Sequence, residues 1–170
     1  TVCPFELGLD VSLFADVVIG DYNYLFDPHV YLKRFFSEGV KEEYLFLIDE
    51  AHNLVDRGRE MYSAVLRKED FLAMKKAVKE YDGTISYQLD VCNRQLLEMK
   101  RECEDYVYLK REDVEPFAGN LSRLSRVIDK YLEDNEDSPV KKELLEFHFE
   151  VFHFLQIYDK LDRAYVIYNQ

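Results

Sequence analysis

Apolar side chains from about residue 60 onward return every three or four positions between charged ones. That spacing places them along one stripe of a helix and leaves the opposite face in water, so this stretch can fold only as helices that bury their stripes on one another. The last segment is the clearest case, with Leu144, Leu145, Phe147, Val151, Phe152, Leu155, Tyr158 and Leu161 near a 3.6-residue repeat. Its stripe is broad and calls for two neighbours. The pattern predicts helices over 52–62, 69–80, 84–105, 113–134 and 139–168, with breaks at Asp82-Gly83, at Tyr106 to Lys110 and at Asp134 to Ser138. Ser138 is placed to cap the last helix, and Pro139 suits a first helical turn. The acidic run Glu133 to Asp137 reads as a solvated turn. His148 and His153 lie five apart, a poor spacing for sharing a helix face, so they read as satisfied helix histidines rather than a metal pair.

The first part differs in kind. Asp16-Val17-Val18-Ile19-Gly20 and Tyr44-Leu45-Phe46-Leu47-Ile48-Asp49 are continuous apolar runs ending in polar or glycine turns, the pattern of buried parallel strands. Between them Asp27 can cap and Pro28 can open a helix reaching Phe36. Strand, helix and strand make a βαβ unit with a right-handed crossover. The fold class expected is therefore mainly α: a helical region over 60–170 attached to a small βαβ piece within 1–59.

Composition narrows the function classes. The chain of 170 residues is 48% hydrophobic, with 13 Tyr and 12 Phe but no Trp, which argues for a packed core and against disorder. A formal charge of −12 counts against a general nucleic-acid coat, though a local positive groove is compatible with it. No apolar run approaches the roughly 20 residues that cross a bilayer, and no charged-then-apolar leader opens the chain. A cytoplasmic protein with no membrane partner is the expectation. Cys3, Cys92 and Cys103 form no C-x-x-C pair and read as reduced thiols, the latter two as small buried side chains. The chain opens on Thr1, and Cys3-Pro4-Phe5-Glu6 has the character of an interior segment, so a piece of a longer protein is expected.

The strongest chemical signal is Leu47-Ile48-Asp49-Glu50-Ala51-His52. Open α/β sheets bind ligands outside the carboxyl ends of their strands, so a buried strand ending in two acids aims both at that crevice. In phosphoryl transfer one such acid holds Mg²⁺ and its neighbour orients or deprotonates the attacking water. A capping Asp-Glu pair at a helix start is the bland alternative. No glycine is followed by Lys-Ser or Lys-Thr, so the loop that cradles phosphates is missing from this sequence.

Three stretches, in this order and spacing, resemble the iron–sulfur helicases of superfamily 2, the XPD/DinG family. They are Cys3-Pro4-Phe5-Glu6, Ala15 through Pro28, and Asp49-Glu50-Ala51-His52-Asn53-Leu54. The resemblance implies a 5′ to 3′ ATP-dependent DNA helicase using ATP and Mg²⁺. Asp49 would bind magnesium, Glu50 activate water, and His52 couple nucleotide state to DNA contacts. Cys3 would be one of four ligands of a [4Fe-4S] cluster in the parent protein, which this chain alone would not hold. Residues 1–59 would belong to the iron–sulfur region and the RecA-like first motor domain, and 60–170 to the helical Arch insertion. Single-stranded DNA is the implied partner. Tyr22, Asn23 and Tyr24 stand where unpaired bases would stack, although alternating aromatics beside a strand equally suit a core. His29 lies in the same loop, within reach of a phosphate on this reading. Arg57 and Arg59 follow the acidic box either as functional cations or as solvated charges.

Two other functions compete. The helical region reads alternatively as a protein-interaction module whose motor lies elsewhere. A stand-alone metal hydrolase built on Asp49, Glu50 and His52 is the weaker option, since adjacent residues at a strand end face different ways and no further ligand cluster is visible.

Overall fold

A computed structural model describes residues 3–36, 43–103, 109–111 and 113–169. They fall into two compact units, Thr1–Tyr62 and Ser63–Gln170.

The first unit is built of short helices. Pro4 supplies the fixed φ of a first turn and opens α1 (Pro4–Ser12), followed by α2 (Asn23–Phe26) and α3 (Lys33–Phe36). A 3₁₀ turn (Ala51–Asn53) then leads into α4 (Leu54–Met61). Arg34 of α3 pairs with both Glu6 and Asp10, which lie four apart on one face of α1. Aromatic contacts supply the rest: Phe5 meets Tyr24 at 6.4 Å, and Phe36 meets Tyr44 at 5.5 Å. Met61 is the one buried residue among the described residues of this unit.

The expected βαβ unit is not formed among the described residues. Residues 16–20 and 43–48 carry no strand pairing, and Ile19 and Leu47 are 96% and 91% exposed. The physical reason is that a parallel strand needs a ladder partner on its edge and cover on both faces, and two short runs supply neither for each other. The expected helix from Asp27 to Phe36 is also replaced. Asp27 does cap, its carboxylate accepting the His29 N–H at 2.8 Å, but it closes a single turn, and Leu32 N–H goes back to the Tyr24 carbonyl at 2.8 Å. Helix resumes only at Lys33.

The second unit is a four-helix bundle of α5 (Lys68–Val78), α6 (Gly83–Glu102), α7 (Glu115–Asp134) and α8 (Lys141–Tyr158). Each helix packs on the next, and α8 closes the ring against α5. The short connections 79–82 and 135–140 make neighbours antiparallel. Local chemistry agrees with these boundaries: Asp82 caps α6 by accepting the Ile85 N–H at 2.7 Å, and α5 carries Glu69 and Asp70 in its first turn and Lys75 and Lys76 in its last. Phe71, Met74 and Val78 face Ile85, Leu89 and Cys92, Leu121, Leu124 and Ile128, and Leu144, Phe147 and Val151 in one core. Phe71 lies at its centre, edge-on to Phe147 at 5.1 Å and 6.3 Å from Phe117.

Two helix ends depart from the sequence pattern. Ser138 does not cap α8; its hydroxyl bonds the Tyr131 hydroxyl at 2.8 Å, and the helix begins three residues later at Lys141. The helix stops at Tyr158 rather than 168, and β2 (Ile167–Asn169) pairs antiparallel with β1 (Leu109–Arg111). Part of the break expected at Tyr106 to Lys110 lies outside the described residues.

Candidate functional site

The apolar segment 43–48 runs extended into a turn at Asp49 and Glu50. Asp49 Oδ1 accepts the Glu50 N–H at 2.9 Å, which orients the Asp49 carboxylate and leaves its second oxygen for a cation. Glu50 itself is left-handed, with φ 51° and ψ 33°, the one non-glycine positive φ among the described residues. Such a conformation costs an L-residue on the order of 1–2 kcal/mol and is a hallmark of sites held for function. It reverses the chain, so that the Glu50 carbonyl accepts the Asn53 N–H at 2.9 Å and starts the 3₁₀ turn. The reversal brings the Glu50 carboxylate to 3.3 Å from His52 Nε2, with the side chains 64% and 74% exposed. An acid able to take a proton from water thus sits beside an imidazole able to hold it in place.

Tyr22, Asn23 and Tyr24 open α2. Asp21 Oδ1 accepts the Asn23 N–H at 2.8 Å and sets the turn. All three residues are half-buried, and Tyr24 packs on Phe5, so part of this aromatic pair serves local packing.

Helix α4 ties this segment to the acidic turn. Arg57 donates to Glu60 at 3.0 Å, and the Glu60 carboxylate first, with the nearby Tyr22 hydroxyl, holds the guanidinium above its ordinary pKa. The Tyr62 hydroxyl donates to the Phe26 carbonyl at 3.1 Å. Arg59, in contrast, pairs with Asp56 on the surface at 3.0 Å. Sequence reasoning named Arg57 without its partner and missed Tyr62, since both contacts span more than 30 residues and leave no periodic trace.

Cys3 is exposed at the start of α1. The residues of this chain do not fit a four-thiolate cluster. Cys92 is fully buried in the bundle, its thiol pushed up to about 12 by desolvation, and Cys103 is buried with its Sγ 3.3 Å from the Asn169 carbonyl. No group of three or more His, Cys, Asp or Glu is gathered for a metal among the described residues. His148 and His153 have separate partners, Asp129 at 3.2 Å and the Ser63 carbonyl at 2.9 Å. No helix among the described residues is long and apolar enough to cross a membrane.

An Asp-Glu-Ala-His turn thus closes the apolar run, and α4 leads from it toward the aromatic loop. The DEAD_2 family model matches residues 1–71. Similar proteins include the Regulator of telomere elongation helicase 1 homolog of Anopheles gambiae, 33% identical over 89 residues, which is 52% of this chain and 8% of that one. The General transcription and DNA repair factor IIH helicase subunit XPD of Arabidopsis thaliana is 35% identical over 66 residues, 39% of this chain and 8% of its own. The Fanconi anemia group J protein homolog of Gallus gallus is 34% identical over 61 residues, 36% of this chain and 5% of its own. No solved structure matches the chain. Over residues 1–71, and in the motifs that carry the match, the chain resembles the XPD/DinG family of iron–sulfur superfamily 2 helicases. It spans less than a tenth of the length of the relatives it matches.

Proposed function

We propose that this chain is the hydrolysis-box part of an ATP-dependent DNA helicase, with the phosphate-gripping loop supplied elsewhere in a longer protein. The observation that carries the reading is the left-handed Glu50, which sets an acid beside His52 at the end of the apolar run inside the family-matched residues. In this reading Asp49 would hold Mg²⁺, which would supply charge stabilisation to the phosphoryl oxygens. The bound Mg·ATP supplies the phosphoryl group and its leaving oxygen. Glu50 takes the proton from the attacking water, and His52, within contact of Glu50, links that event to the DNA side. Tyr22, Asn23 and Tyr24 meet single-stranded DNA, and the direction of travel, 5′ to 3′, is that of the family. Cys3 is one of four cluster ligands, the other three standing outside this chain. Residues 1–59 belong to the motor and 60–170 to an Arch-like insertion past which DNA threads.

In the full-length protein, Glu50→Gln should lower ATP hydrolysis at least 100-fold while nucleotide binding is kept, because the base is removed and the metal ligand remains. Unchanged turnover would exclude Glu50 as the catalytic acid.

A second reading is supported by the outer face of α8, where Leu145, Phe149 and Phe152 are exposed at i, i+4 and i+7. Such a stripe suits protein docking by the helical unit. A salt titration of single-strand binding separates the two: steep weakening with salt supports the DNA track, and no binding at any salt supports docking.

A further inference from the structure

The acidic turn and the aromatic loop are joined by one helix, which meets the loop at its middle and just past its end. In the middle, Arg57 lies near the Tyr22 hydroxyl. One turn beyond Arg57 and past the last helical residue, Tyr62 donates to the Phe26 carbonyl at 3.1 Å, the carbonyl at the C-terminal end of α2. The Tyr62 hydrogen bond fixes the end of α4 against α2, and the Arg57–Tyr22 approach restrains its rotation there. The same helix starts directly from the 3₁₀ turn that carries His52, so any change in the Asp49–His52 turn moves α4 as a body.

We propose that Tyr62 is a positioning residue that makes α4 and α2 move together, so that the state of the acidic turn is transmitted to the Tyr22–Tyr24 face. This rests on the reading of Asp49, Glu50 and His52 as the hydrolysis box. The ring of Tyr62 is 40% exposed, and its hydroxyl donates to the Phe26 carbonyl. Arg57 acts with it as the second tie. The hydrogen bonds of these residues go to Glu60 and the Phe26 carbonyl rather than to Asp49 or Glu50, so loss of a tie leaves the hydrolysis chemistry intact while weakening its response to DNA.

The test is ATP hydrolysis by the full-length protein with and without a single-stranded oligothymidylate, for Tyr62→Phe, Arg57→Gln, the double variant and Glu50→Gln. Tyr62→Phe keeps the ring and removes only the hydroxyl. It is expected to lower DNA stimulation roughly three- to ten-fold, the worth of one net hydrogen bond, with DNA-free turnover and the KM for Mg·ATP unchanged. Arg57→Gln should act in the same direction, and the double variant should fall short of the product of the two, since either loss already frees the helix. Full stimulation in Tyr62→Phe, or an equal fall of the DNA-free and DNA-stimulated rates, overturns the proposal. If Glu50→Gln itself retains hydrolysis, the reading of the acidic turn has failed instead, and the two failures are told apart in one set of assays.

Discussion

At the residue scale, partners decide what a side chain does more than its type. Two arginines stand two positions apart on α4, yet Arg59 pairs with Asp56 on the surface while Arg57 pairs with Glu60 and lies near Tyr22. The acidic box was legible in the sequence, because an apolar run ending in Asp-Glu-Ala-His needs no long-range information to be noticed. Tyr62 was not legible, because its significance lies in a carbonyl 36 residues away. Tyr158 gives the residue-scale prediction. Its hydroxyl donates to Asp113 Oδ1 at 2.8 Å, and partial burial, then the Asp113 carboxylate, push its pKa up to about 12 from an ordinary value of 10. The neutral phenol is therefore favoured in the folded state. Its contribution is fully present below the unfolded value and is lost as pH rises through the window from 10 to 12. Thermal melts across that range should show the wild-type chain losing stability more steeply than Tyr158→Phe; parallel curves would show that the Asp113 contact does not matter.

At the scale of elements, helices were read well and strands badly, for one physical reason. Helical periodicity is a relation among neighbours a few positions apart, which the chain states locally: α5, α6 and α7 begin and end within a few residues of the pattern. A continuous apolar run of five or six residues states only that something must cover it. Residues 16–20 and 43–48 look the same on paper as buried parallel strands, and their pairing depends on chain that is not local to them. The pair β1 and β2 was missed from the opposite side, since three-residue strands are too short to show alternation. The bundle should fold from its own residues: a piece spanning 63–170 is expected to give a helical circular dichroism spectrum with a cooperative melt. Phe71→Ala in that piece should cost about 3–5 kcal/mol, as loss of a large buried ring leaves a cavity amid three other helices. A non-cooperative melt of the unaltered piece would show that its core depends on the first unit.

At the scale of the whole molecule, the two units differ in how much of their apolar surface they bury. In the second, the core residues of all four helices are near zero exposure, while the first leaves Phe14, Ile19, Leu45 and Leu47 almost fully open. Opening free energy follows buried contact, so amides of residues 3–36 and 43–48 should exchange hydrogen faster than those of 141–158 in a dilute sample. Equal, slow exchange in both would mean that the first unit is closed by contacts that these apolar exposures do not reveal.

The hydrogen bonds at the ends of the bundle give it one further property. His153 holds the Ser63 carbonyl, and the Asn169 side-chain amide donates to the Met99 carbonyl near the end of α6. With neighbouring helices antiparallel, the place where the chain comes in and the place where it leaves are at the same pole. The opposite pole carries only the two short turns, 79–82 and 135–140. The two poles are separated by about the length of a 20-residue helix, about 30 Å. A body whose two ends meet at one pole is a cassette, whose place a short linker across that pole could take.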